Sequence, residues 1–396
     1  MRGIVGIGVL FGLLTGAGAV AAPPLPAPPV NARAYVLIET RTNTELLAAN
    51  ADERLPPASL TKLMTAYLVF SELRAGRLHR DDPVKVSRYA AHLPGARMFL
   101  LPDEVVSVDN LLKGMLVDSG NDAAFALVER VAGDLPTFVA RMNAEAARLG
   151  LRDTHFANAT GLPNRAHYST ARDLAHLAAA LRRDFPEYHD YFAQREFTWA
   201  GITQPNRNLL LGRVPGVDGL KTGHTEAAGY CLVASAEREP MQLIAAALGI
   251  DSATDRLQEG RALLEYGFHA FETRRLYAAG ESLVSAPVSL GATDRVALGP
   301  SQDLWLTLRR GDFERLDARA LLSATPPAPI ARGVAMGELR LTLDQQPVAT
   351  VPLTTLGEVP EGSIARRAGE RLRRWLRAGG EAQAAPQTVT LGRVAR

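Results

Sequence analysis

The chain is short of cysteine and lysine, and it has no apolar run long enough to span a bilayer. One cysteine, Cys231, stands among 396 residues. That excludes an internal disulfide framework and any metal site built from several thiolates. Its setting, Tyr230-Cys231-Leu232-Val233, is apolar and strand-like, which suits a packed structural thiol. The pattern G-x-S-x-G does not occur, which disfavours a hydrolase whose serine sits on a strand-to-helix elbow. There is no H-E-x-x-H, and the eight histidines are scattered, so a zinc peptidase finds no support. His155, His167 and His224 read as structural or supporting residues, and neither a metal nor a cofactor is expected. The formal charge of +2 is too small to argue for a nucleic-acid partner.

What is present divides the chain into stretches. Arg2, the apolar run Ile4 to Leu14 and the small residues Ala17 to Ala21 have the make-up of a signal peptide over 1–21. The run is shorter than the about 20 residues that a membrane span needs. Prolines from Pro23 to Pro29 make residues 22–31 an extended spacer. Residues 32–272 mix helical and strand patterns. Tyr35–Glu39 reads as a buried strand with Glu45–Ala49 as its hairpin partner, and Ser59–Arg74 as a helix. Two helices, Val108–Val117 and Asp122–Ala132, flank Ser119-Gly120-Asn121, and Thr170 caps a further helix. Strands Gly229–Ala236 and Gln242–Leu248 and the helix Thr254–Tyr266 close this part.

Over residues 273–359 the period changes to two, with Leu304, Leu306, Leu308 and Leu339, Leu341, Leu343 alternating with more polar neighbours. This predicts a smaller all-β domain. Residues 360–378 carry Ile364, Ala368, Leu372, Trp375 and Leu376 at helical spacing, surrounded by six arginines and opposed by Glu370. Such a helix, Gly362 to Arg377, suits an anionic membrane surface; the alternative is a solvated helix packed on the β domain. Residues 379–396 read as a disordered tail.

Three short motifs carry the chemistry. In Ser59-Leu60-Thr61-Lys62 the first and last residues share a helix face. A serine needs a base, and a lysine can serve once burial or positive charge lowers its pKa. The chain has four lysines among 44 Lys and Arg, so a lysine at position 62 is informative, since arginine does not give up its proton. Ser119-Gly120-Asn121 could shuttle a proton and bind a peptide backbone, although alone it is an ordinary turn. Lys221-Thr222-Gly223 on a strand edge could hold a carboxylate, with the glycine letting substrate approach as an added strand. Singly each is commonplace; in this order and spacing they form the set S-x-x-K, S-x-N and K-T-G.

With these blocks, and with Val217 to Thr225, Thr154-His155-Phe156, Ser169 to Asp173, Asn206-Arg207-Asn208 and Val359 to Gly362, the chain resembles the low-molecular-mass penicillin-binding proteins. Within them it is similar to the D-alanyl-D-alanine carboxypeptidases of the DacA type (peptidase family S11). The resemblance runs from Ala32 to Arg377. It implies an α+β fold: a transpeptidase-like domain with an antiparallel sheet flanked by helices, then a small all-β domain and a C-terminal amphipathic helix. It implies Ser59 as acylated nucleophile, Lys62 as general base, Ser119 and Asn121 as relay, and Lys221, Thr222 and Gly223 facing the substrate's carboxylate. Arg207 would be a second carboxylate anchor, and the backbone N–H groups of Ser59 and His224 would form the oxyanion hole. The implied partners are a peptidoglycan pentapeptide ending in D-Ala-D-Ala and β-lactams as covalent inhibitors, with the protein on the periplasmic face of the cytoplasmic membrane. The glycine of S-G-N, where class A β-lactamases have aspartate, favours the carboxypeptidases. A β-lactamase and a non-catalytic wall-binding scaffold stand as the alternatives. The appended domain and basic helix argue against the first, and intact Ser59, Lys62 and Lys221 against the second.

Overall fold

The computed structural model describes residues 25–323, 325–377 and 387–393. The expected signal peptide and the first residues of the spacer lie outside them. Five strands form one antiparallel sheet in the order Thr44–Ala49, Ala34–Glu39, Met241–Ile250, Gly229–Arg238, Val217–Thr225. Alternation along Val36-Leu37-Ile38 sends Val36 and Ile38 to one face and Leu37 to the other, and all three are buried. The sheet is therefore covered on both sides. Helices Lys62–Arg74, Asn121–Ala132 and Ala171–Asp184 build the larger core on one face. Ala253–Ala270 packs Leu263 and Leu264 against Leu37, Leu232 and Leu243 on the other.

Two features of this arrangement matter for chemistry. Val217–Thr225 is an edge strand, with one side left unpaired by the sheet. The helix expected from Ser59 begins instead with a 3₁₀ turn, Ala58–Thr61, that runs into the α-helix Lys62–Arg74. Residues i and i+3 eclipse in a 3₁₀ turn, so Ser59 and Lys62 stand one above the other. That helix is buried on nearly every face, every residue from Lys62 to Phe70 being inaccessible, so it is central rather than amphipathic.

The second domain is all-β, as its period-two pattern predicts. Phe271–Tyr277 pairs with Leu304–Arg309. Six further strands run in the order Val284–Pro287, Arg295–Gly299, Gln346–Thr355, Ala335–Leu343, Leu316–Leu322, Gln387–Arg393. Leu316, Leu339, Leu341 and Leu353 form its core. The seam with the first domain is polar: Thr307 Oγ1 lies 2.7 Å from Thr42 Oγ1 and 2.8 Å from Thr273 Oγ1.

The last of the six strands corrects an expectation. Gln387–Arg393 is not a disordered tail but pairs antiparallel with Leu316–Leu322. Thr388, Val389 and Thr390 have the β-branched character that a pleated edge accepts, and Leu391 packs against the domain core. Before it comes the helix Ile364–Arg377. Its first turns are tied to the domain by polar contacts, Arg366 to Asp294 at 2.6 Å and the Glu370 carboxylate to the Leu290 N–H at 2.8 Å. Its apolar residues are not used in that contact, since Ile364 is 79% and Leu372 57% exposed. No helix among the described residues is long and apolar enough to cross a membrane.

Candidate active site

All three motifs meet at one cavity of about 510 Å³ between the edge strand, the 3₁₀ turn and the loop before Asn121–Ala132. Ser59 is half-buried at its floor, and Lys62 is fully buried behind it. The lysine Nζ makes three contacts: Ser59 Oγ at 3.0 Å, Asn121 Oδ1 at 2.7 Å and the Thr160 carbonyl at 2.9 Å. The orientation of the Asn121 amide is set independently, because its Nδ2 donates to the Pro94 carbonyl at 2.6 Å. Two of the three partners can therefore only accept. A neutral amine has two N–H groups and one lone pair, so Asn121 and Thr160 take the hydrogens and the lone pair is left facing the serine. Burial lowers the Lys62 pKa to about 7; Arg207 pushes in the same direction and Asp122 against it.

A second pair lies across the cavity. Lys221 Nζ donates to Ser119 Oγ at 3.0 Å and to the Thr222 carbonyl at 2.9 Å. Burial, with Lys62 and Arg207 nearby, holds this lysine well below its ordinary pKa. Ser119 itself adopts φ +64°, a left-handed conformation unusual for a residue with a side chain. The buried Asp122 carboxylate helps to impose this corner. It accepts the N–H groups of Met98 at 3.0 Å and Leu100 at 3.1 Å, and so ties the loop that carries Pro94 to the helix that carries Asn121.

The Asn206-Arg207-Asn208 block resolves into two roles. Asn206 Nδ2 bonds the Gln194 carbonyl and Asn208 Nδ2 the Gly219 carbonyl, each at 2.9 Å, so both asparagines are fasteners. Arg207 between them is exposed at the cavity wall. A second guanidinium, Arg256 from the helix Ala253–Ala270, reaches the same wall. It is buried, donates to the Arg207 carbonyl at 3.2 Å and lies over the Tyr230 ring at 5.4 Å. Sequence patterning did not single it out, since a lone arginine on an amphipathic helix carries no signal. No carboxylate lines the cavity among the described residues, so its cations are aimed at an anion supplied from outside.

The remaining candidates are also placed. Thr222 and His224 line the cavity, and the His224 ring stacks on Tyr230 at 4.1 Å. Gly223 has a role different from the one expected. A Cβ there would lie 3.0 Å from Ser59 N and 3.0 Å from Ala58 Cβ, so its missing side chain admits the serine turn as well as a substrate. Gly161 does the same from the opposite side, where φ is +87° and a Cβ would lie 1.7 Å from the Ala58 carbonyl oxygen. His167 is a fastener in the same turn. Its Nδ1 accepts the Ala157 N–H at 3.0 Å, so Nε2 carries the hydrogen and donates to Thr61 Oγ1 at 2.7 Å. Thr61 in turn donates to the Ala58 carbonyl at 2.8 Å. Burial lowers the His167 pKa to about 4, so the ring stays neutral.

Comparison with known proteins agrees with this arrangement. Residues 20–252 match the D-alanyl-D-alanine carboxypeptidase family, and residues 271–361 match the penicillin-binding protein 5 C-terminal domain. D-alanyl-D-alanine carboxypeptidase DacA of Escherichia coli is 39% identical over 345 residues, 85% of this chain and 86% of that protein. DacD of the same organism is 38% identical over 367 residues, 90% and 95% of the two chains. Among solved structures, penicillin-binding protein 5 of Haemophilus influenzae superposes with a TM-score of 0.80 at 38% identity, covering 85% of this chain and all of that one. Penicillin-binding protein D2 of Listeria monocytogenes, solved in an ampicillin-bound form, superposes with a TM-score of 0.57 at 33% identity, covering 62% of this chain and all of that one. The chain belongs to the serine D-alanyl-D-alanine carboxypeptidase family of penicillin-binding proteins.

Proposed function

We propose that Ser59 attacks the carbonyl of the penultimate D-alanine of a peptide ending in D-Ala-D-Ala, while Lys62 takes its proton. A bond forms from Ser59 Oγ to that carbonyl carbon, and the carbonyl oxygen becomes an oxyanion facing the N–H groups of Ser59 and His224. The C–N bond to the terminal D-alanine then breaks. Its nitrogen takes a proton through Ser119, whose oxygen accepts from Lys221 and whose own hydrogen is thereby available to pass on. Water hydrolyses the acyl-enzyme. Asn121 orients Lys62, while Lys221, Thr222, Gly223, Arg207 and Arg256 hold the terminal carboxylate and the backbone next to it. The observation that carries this reading is the commitment of both Lys62 N–H groups to pure acceptors, which leaves a base poised at the serine.

The experiment is intact-protein mass spectrometry of the mature protein mixed with benzylpenicillin, paired with D-alanine release from a D-Ala-D-Ala peptide. A stable adduct on Ser59 with D-alanine release is the expected result. Rapid penicillin turnover without peptide cleavage makes the protein a β-lactamase, and neither reaction leaves a scaffold.

We also propose that the protein is exported, that residues 1–21 are its signal peptide, and that Gly362–Arg377 attaches it to the periplasmic face of the cytoplasmic membrane. The exposure of Ile364 and Leu372 supports this over packing on the β domain. Deleting everything after Gly362 would also remove the Gln387–Arg393 strand, so charge substitution is the cleaner test. Arg371, Arg373, Arg374 and Arg377 changed together to glutamine should weaken binding to vesicles of anionic phospholipid by about a hundredfold or more, at about 1 kcal/mol for each cation. Unchanged co-sedimentation would sink the anchor.

A further inference from the structure

A second cavity, of about 340 Å³, continues from the first. The two share Gly161, Leu162 and Thr225, so only that ridge separates them. Its other walls are largely apolar, with Pro56, Pro57 and Ala58 on one side, and Arg165 at its margin is the one charged side chain among the described residues lining it. Arg165 is exposed and has no carboxylate or hydrogen-bond partner among the described residues. Many of the other arginines of this domain are paired, for example Arg54 with Asp153 at 2.7 Å and Arg172 with Asp52 at 2.6 Å.

The edge strand sets which part of a peptide arrives there. A substrate added antiparallel to Val217–Thr225 runs with its C-terminus towards Lys221 and its upstream residues towards Thr225. Ser59 N lies against Gly223, so the scissile carbonyl sits near Gly223 and His224 and the terminal residue lies beside Thr222. At about 3.4 Å per extended residue, the third residue from the C-terminus is the first to clear Thr225. Its side chain therefore enters the second cavity. An apolar wall followed by an unpaired guanidinium suits an aliphatic stem that ends in a carboxylate.

Resting on the carboxypeptidase reading, we propose that this cavity is a subsite for an anionic side chain on the third residue from the peptide's C-terminus, read by Arg165. The probes are two peptides of sequence X-D-Ala-D-Ala, acetylated at the N-terminus. In one, X is lysine acetylated on Nε; in the other, X is lysine succinylated on Nε, which places a carboxylate at the end of the stem. The measured quantity is the ratio of kcat/KM for D-alanine release, succinylated over acetylated. The ratio should be about 5 to 20 for the native protein, fall to near one in Arg165→Ala and drop below one in Arg165→Glu. Penicillin labelling of Ser59 in both variants checks that they are folded. A native ratio near one, or a preference that survives in Arg165→Ala, overturns the subsite while leaving the carboxypeptidase reading intact. Labelling of Ser59 with neither peptide cleaved overturns both.

Discussion

Replacing Lys62 by arginine should slow acylation of Ser59 by benzylpenicillin about a thousandfold or more, although the charge at the position is kept. General-base catalysis contributes about 10²- to 10⁴-fold, and arginine cannot supply the lone pair that Lys62 turns towards Ser59. Ser59→Ala should abolish the adduct altogether, which calibrates the floor of the assay. The same argument fixes the sign of the pH dependence in the native protein. The active form is the neutral amine, and burial puts the Lys62 pKa at about 7. Acylation should therefore rise with pH, about tenfold per unit below 7, and level off above it. Stopped-flow acylation rates from pH 5 to 9 give the profile. A flat profile, or native-like rates in Lys62→Arg, would remove Lys62 from the role of base.

The second large effect should come from a residue with no chemistry of its own. Gly161→Ala places a Cβ where the Ala58 carbonyl oxygen already is, at a φ of +87° that side chains disfavour. Neither side can yield cheaply. The obstacle is backbone, and Ala58 is itself held at φ +48° by the Thr61 and His167 hydrogen bonds. The strain and overlap together should cost about 2–5 kcal/mol of stability. If the turn shifts instead of unfolding, displacement of Ser59 by about 1 Å should lower acylation about a hundredfold. Thermal melting and acylation rate, measured on the same sample, separate the two routes. Native values in both would mean that the turn is not held from this side.

Which parts of this site could be read from the chain follows from how each residue contributes. Ser59, Lys62, Ser119, Asn121 and Lys221 act through side chains in three local motifs, so order and spacing suffice to bring them together. Thr160 contributes a backbone carbonyl, and any residue has one. Arg256 arrives from a helix whose period explains its position without reference to a ligand. Asp122 and His167 are visible only through what they fasten, Met98 and Leu100 in one case and Thr61 in the other. Gly223 was assigned to the substrate because a strand edge suggests one; that the serine turn packs against it needs three dimensions.

The fold divides in the same way. The sheet strands and the central helices follow from runs of buried residues. The helix Leu135–Arg148 escaped notice because its buried stripe is only Phe138, Met142 and Ala146, although Asp134 caps it through the Thr137 N–H at 2.7 Å. Gln387–Arg393 escaped because a short polar segment becomes a strand only when an edge is offered, and Leu316–Leu322 offers one.

That last pairing changes the mechanics of the basic helix. Ile364–Arg377 is an excursion that leaves the β domain and comes back to it, so it has two points of attachment where a tail would have one. A tail can swivel and let the body tumble at the end of a leash. A helix moored fore and aft restricts that rotation, and any pull transmitted through it is shared with a seven-residue strand whose hydrogen bonds lie across the direction of the chain. A single proteolytic cut between residues 377 and 387 would turn the mooring back into a leash, while the severed strand could stay seated in the sheet.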